Sequence, residues 1–231
     1  MGFIKRFFKN VFREGQQTLP NTGSSFERVA DDVLEAHLGV VRYGQFVLTD
    51  AVRPSFDLQV VPTQGYRHDV YNDAENKASV PVLMGAATSD DVFDLFINLL
   101  DPLGTEVDVV LETSHHRNNK GHTDLYREHI DLPVLKSILY DYEDLLLNDG
   151  CTGIAVLNPN IPQEVQFDEH KLLIVYGDNL GDYEKILQGR DVYPNEKMKF
   201  ITEAEHVHSS SDYYFQQFEE LKMRLGMDSH F

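Results

Sequence analysis

Ten histidines punctuate the 231-residue chain, and seven of them fall between His115 and His208. The densest set of metal-ligand types is Glu203-Ala204-Glu205-His206-Val207-His208. Side chains alternate along an extended chain, so His206 and His208 share one face, roughly 7 Å apart. Two imidazoles placed this way can hold zinc or a similar ion, with Glu205 beside them as a third candidate ligand and Glu203 as a further carboxylate. A hydrolytic centre would also need an open position for water. The competing expectation is a strand end that feeds a serine-rich helix cap, its imidazoles bonded to backbone or solvent.

Three other groups of residues have types that can do chemistry. His115 and His116, with His122 and His129 nearby, can supply ligands, but the polar segment around them reads as a solvated connection. Asp168-Glu169-His170-Lys171 interrupts an apolar run. Asp168 and His170 share a face there and could act as an acid–base pair. The plainer expectation is a β-bulge or a charged, exposed strand edge. Cys151 follows a helix stop at Gly150, where the helix dipole disfavours a thiolate, so it reads as a small packed hydrophobe. No nucleophile-elbow, Walker-loop or Rossmann glycine pattern is present in the sequence.

The elements that must position these residues follow from periodicity. Helices are expected from Phe26 to about Leu38 with Ser25 as cap, from Ser89 to about Leu100, and from Asp131 to Gly150 with Pro133 in the first turn. Two more are expected, one from Asp178 or Asn179 to Gly189 and one from Asp212 to the C-terminus. Strands are expected at Val40–Tyr43, Gln45–Thr49, Phe56–Val61, Val80–Met84, Val107–Leu111, Thr152–Leu157, Val165–Tyr176 and Met198–Glu203. Gly65–Lys77 and His115–Glu128 read as polar loops. The pattern gives an α+β fold with a mixed, mostly antiparallel sheet covered by helices. From 106 to 210 the order predicts a ferredoxin-like βαββαβ core. On that topology the histidines near 115 and those near 206 lie at opposite sheet edges and do not share one ion.

Charge is distributed unevenly. The chain carries −18, while residues 1–14 carry +3, which leaves −21 on the remainder. Phe3, Ile4, Phe7, Phe8, Val11 and Phe12 form one stripe at helical spacing, with Lys5, Arg6, Lys9 and Arg13 around it. Residues 1–15 are therefore expected to form a basic amphipathic helix and 16–25 a linker, followed by one domain at 26–231. Such a helix can lie on an anionic membrane surface, dock on a protein partner or pack on its own acidic body. Arg6 stands where a myristoylation signal wants Ser or Thr. The acidic balance argues against nucleic-acid binding. One cysteine excludes a disulfide framework, and a cytoplasmic protein, peripheral at a membrane surface in the anchored case, is expected. Two functions compete: a non-enzymatic binding or regulatory module with an N-terminal anchor, and a metal-dependent hydrolase built on His206 and His208.

Overall fold

The computed structural model describes residues 24–27, 29–73, 78–115 and 122–227. In chain order it begins with helix α1 (Asp31–Leu38), a tight hairpin of β1 (Arg42–Tyr43) and β2 (Phe46–Val47), and β3 (Val52–Pro54). A long pair follows, β4 (Gly65–Asp73) and β5 (Ala78–Ala86), then α2 (Ser89–Leu99). Next come β6 (Glu106–Thr113), β7 (Thr123–Asp131), α3 (Leu132–Asp141) and α4 (Glu143–Asn148). The rest is β8 (Thr152–Leu157), β9 (Glu164–Phe167), β10 (Leu173–Tyr176), α5 (Gly181–Gln188), β11 (His206–His208) and α6 (Asp212–Arg224). The basic helix expected at 1–15, with its apolar stripe, and the linker as far as residue 23 lie outside the described residues.

Alternation with period two decides how the main sheet packs. Val107, Val109 and Leu111 of β6, Ile154 and Val156 of β8, Val165 and Phe167 of β9, and Leu173 and Val175 of β10 share one face and one core. Helices α2 to α6 cover that face with Phe96, Leu135, Leu139, Leu146, Leu187 and Leu221, all almost fully buried. Phe96 of α2 stacks on Phe167 at 5.2 Å between ring centroids. On the opposite face Phe46, Met198 and Phe200 cover Val82, Ala86, Ile174 and Tyr176 of β5 and β10. The expected class therefore holds: an antiparallel sheet with helices in an α+β arrangement.

The strand order is β4-β5-β10-β9-β8-β6-β7. The βαββαβ order expected for 106–210 does not describe this sheet, for three reasons. β8 pairs directly with β6, and β7 occupies the other side of β6. The run expected as one strand from Val165 to Tyr176 is a hairpin, β9 and β10, folded at 168–172. Met198–Glu203 is not a strand; it holds coil and a single 3₁₀ turn at Ile201–Glu203. Other expectations shift as well. Phe56–Val61 is turn and coil, and the helix from Asp131 divides at Tyr142 into α3 and α4. The first helix begins at Asp31 rather than Phe26 and buries no residue, so Val33 is exposed.

A second, two-stranded sheet matters more for the site. β11 pairs with β3, His206 opposite Pro54 and His208 opposite Val52. β3 is fixed by Arg53, whose buried guanidinium donates to the carbonyls of Leu38, Thr49 and Val52 and pairs with Asp50 at 2.8 Å. The backbone then tightens around Gly150: its N–H donates to Ser209 O at 2.7 Å, and Ser209 N–H donates to Ala51 O at 2.8 Å. A Cβ on Gly150 would lie 2.3 Å from Ala51 O, so only glycine fits this crossing.

Candidate metal centre

Two elements far apart in sequence bring three imidazoles together. β11 presents His206 and His208 on the same face, as period two requires. The third, His170, comes from the β9–β10 turn. There Asp168 N–H donates to Leu172 O, and Lys171 N–H donates to Asp168 O. Lys171 takes the left-handed conformation, with φ 64°. This is a three-residue hairpin loop whose αL position is filled by lysine instead of glycine. The Asp168 carboxylate supplies the missing turn signal by accepting from the N–H groups of His170 at 3.0 Å and Leu172 at 2.7 Å.

The rings form a nearly equilateral triangle. Centroids are 4.8 Å apart for His170 and His206, 4.7 Å for His170 and His208, and 5.0 Å for His206 and His208. One nitrogen from each ring lies within 4.8 Å of the other two. Every Nδ1 has a fixed partner: Asp168 Oδ2 for His170 at 2.8 Å, Ala204 O for His206 at 2.8 Å, and Gly150 O for His208 at 2.6 Å. A carbonyl oxygen can only accept, so His206 and His208 must carry their protons on Nδ1. Their Nε2 atoms then hold lone pairs. The Nε2 of His170 lies 3.1 Å from that of His206, so one proton at most is shared between them.

Electrostatics support this assignment. Burial would raise the Asp168 carboxyl, but the charges of His170 and Lys171 and the bonds from His170 and Leu172 hold it below the usual range, so it is an anion. Burial would depress His170, but the Asp168 charge and hydrogen bond, with Glu169, hold it above its ordinary value. His206 and His208 are both depressed, by burial first and by the charge of His170 next, which keeps them neutral. His206 and His208 are thus in the neutral form that binds a metal, and His170 would give up its Nε2 proton when an ion binds.

The expected ligand set and the observed group overlap in part. His206 and His208 stand in the triangle. Glu205 points away: its carboxylate accepts from Ser24 Oγ at 2.5 Å and from Ser25 N–H at 2.7 Å, as alternation along the strand requires. Glu203 bonds Arg67 at 2.6 Å. His129 pairs with Glu106 at 2.9 Å, and His122 lies near Glu169. His115 belongs to a different group, bonded to Asp149. In the sequence, His170 has a local partner only in Asp168. Its spacing to Asp168 gave that pair, but nothing local to it points to a partner 36 residues away.

Two neighbouring features complete the site. Lys171 is buried, donates to Thr152 O at 2.9 Å and lies over the Phe167 ring; burial pushes its ammonium down to about 8. An apolar cleft lined by Phe46, Leu48, Pro62, Val92 and Phe200 reaches His170 and Lys171. Among the described residues, no helix is long and apolar enough to cross a membrane. No family model matches the chain, and no curated protein or solved structure matches it either.

Proposed function

We propose that the protein is a metal-dependent hydrolase whose catalytic divalent ion, zinc by ligand chemistry, is held by His170, His206 and His208. The observation that carries this is the orientation of the three rings. Each Nδ1 is tied to an oxygen acceptor, which leaves the three Nε2 atoms as the ring nitrogens open to an ion. Metal-ligating histidines are oriented in this way by carboxylate and carbonyl partners. A set of imidazoles that merely packed together would have no reason to share this polarity, and two of them accept no proton readily in this setting.

Three protein ligands favour catalysis over a purely structural role. Structural zinc sites are closed by four protein ligands, whereas catalytic sites keep one position for water. Among the described residues the triangle has no fourth carboxylate, thiol or imidazole in its group. A zinc ion held by these three rings would supply Lewis acidity and would lower the pKa of a bound water to about 7. Glu169 follows Asp168 in the turn, and its charge acts on both His170 and His208. Its carboxylate, which accepts from the Ser114 hydroxyl at 3.1 Å and lies near His122, would accept a proton from a water at the site. The cleft beside His170 would receive an apolar substituent of the substrate. The reading as an anchored binding module draws on residues 1–14, outside the described residues, and has no support of comparable detail.

The test is elemental mass spectrometry on purified, tag-free protein, before and after zinc incubation and dialysis. The His206→Ala, His208→Ala double variant is expected to bind one equivalent less than wild type. Zinc-loaded wild type is then expected to hydrolyse members of a panel of small apolar esters, amides and phosphoesters, and Glu169→Gln to retain the ion with activity reduced about 100-fold or more. Equal metal content in wild type and the double variant would overturn the metal centre. Bound metal without turnover of any substrate class would leave the ion in place and remove the hydrolase.

A further inference from the structure

Beside the imidazole triangle the backbone Asp149-Gly150-Cys151 serves two groups. Gly150 O accepts from His208, while the residues on either side of it face His115. His115, Asp149 and Cys151 offer a nitrogen, an oxygen and a sulfur within 4.8 Å of one another. We propose that these three side chains bind a second divalent transition-metal ion, of the zinc class, independently of the first.

Asp149 is the strongest ground. It is completely buried. Its Oδ2 accepts from His115 Nε2 at 2.7 Å and from the Thr152 hydroxyl at 2.5 Å. Its Oδ1 makes no hydrogen bond. Burial alone would raise this carboxyl, but the bonds from His115 and Thr152, with the nearby Ser210 hydroxyl, hold it below the usual range. A buried anion with an orphaned oxygen is costly unless a cation or donor meets it. The side chain placed to share that cation is Cys151, the single cysteine of the chain, partly exposed.

The surroundings suit an ion better than a thiol nucleophile. Burial, with the charges of Asp149 and Glu169, pushes the Cys151 thiol up despite bonds from Ser114 and Ser210, so without a cation it stays protonated and unreactive. A bound ion reverses that by stabilising the thiolate directly. The His115 ring is fixed against Phe215 at 5.5 Å and Phe218 at 5.7 Å, so little order remains to be imposed on it. A solvent-open cleft lined by Ser114, His115, Cys151, Ser210 and Phe215 gives an ion its entry path. Mixed sulfur, nitrogen and oxygen donors select zinc-like ions over magnesium or calcium.

Cobalt(II) titration of the full chain under reducing conditions separates the two centres. The imidazole triangle contains no sulfur, so a near-ultraviolet thiolate-to-cobalt band reports Cys151 alone. Wild type is expected to bind two equivalents, one of them with this band. Cys151→Ala loses the band and one equivalent but keeps the other. The His206→Ala, His208→Ala variant keeps the band, so failure of the first site is read separately. His115→Gln and Asp149→Asn are expected to weaken the banded site by at least about tenfold. Circular dichroism identifies any variant that fails to fold, and Cys151→Ala, a small change at a partly exposed position, carries the test in that case. Absence of the band in wild type overturns the proposal. So does a band whose affinity is unchanged in folded His115→Gln and Asp149→Asn, since the thiol would then be binding cobalt on its own.

Discussion

Asp168 shows how much one side chain can carry. It closes the β9–β10 turn by accepting two backbone N–H groups, and the same carboxylate orients His170 through Nδ1. These two roles separate under substitution. Asp168→Asn keeps the shape and an acceptor for the turn but removes the negative charge that favours a proton on His170 Nδ1. Loss of such a partner costs about 10- to 100-fold in metal affinity. Zinc titration against a competing chelator is expected to show that loss while the far-ultraviolet spectrum stays unchanged. Unaltered affinity in the folded variant would mean that His170 is not a ligand, since its orientation would not matter to the ion.

At the scale of elements, the site depends on a crossing between β11 and the start of β8. Gly150 sits where Ala51 and Ser209 approach its α-carbon, and its carbonyl holds His208. Gly150→Ala must push these backbones apart. Overpacking of this kind costs roughly 1–3 kcal/mol, and displacement of the carbonyl frees the His208 ring. Urea denaturation should reveal the first effect and zinc affinity the second; a stable variant with unchanged affinity would show that the crossing does not position the ring. The same scale explains what could be read from sequence. The interior strands β5, β6, β8, β9 and β10 are apolar and were legible as strands, although β9 and β10 ran together. The two that read as polar loops, β4 and β7, are the edges of the sheet. Edge strands carry charged and polar residues where another chain could pair, which erases the apolar signal. The β9–β10 turn was hidden for a different reason: its αL residue is Lys171, so no glycine marked it. His206 and His208 were legible because their spacing is local. His170 was not, because what brings it to them is the pairing of β3 with β11 and the fold of the sheet.

At the scale of the whole molecule, the sheet buries acids on the face opposite its helices, and this makes stability depend on pH. Glu164 is 3% exposed and accepts a hydrogen bond from Gln166; burial raises its carboxyl to about 8. Glu112 is raised well above its ordinary value, first by burial and then by surrounding carboxylates, and its Oε1 has no hydrogen-bond partner. Glu164 is therefore mostly protonated in the folded chain at neutral pH, whereas in the unfolded chain it ionises in the usual carboxylate range. A group whose folded pKa is raised contributes its full stability below the unfolded value and loses it as pH rises through the folded value. For Glu164 the window runs from 4.5 to about 8, and the loss across it is on the order of a few kcal/mol. Glu164→Gln removes the titration and leaves an oxygen to accept from Gln166. The stability of the variant relative to wild type, from urea unfolding at intervals between pH 5 and 8.5, is expected to rise steadily across that window and level off above it. Titrating groups that do not interact with Glu164 are common to both proteins and cancel in the difference. A difference that stays flat with pH would mean that Glu164 ionises in the folded state as it does in the unfolded one, and that the acid face of the sheet is open to water.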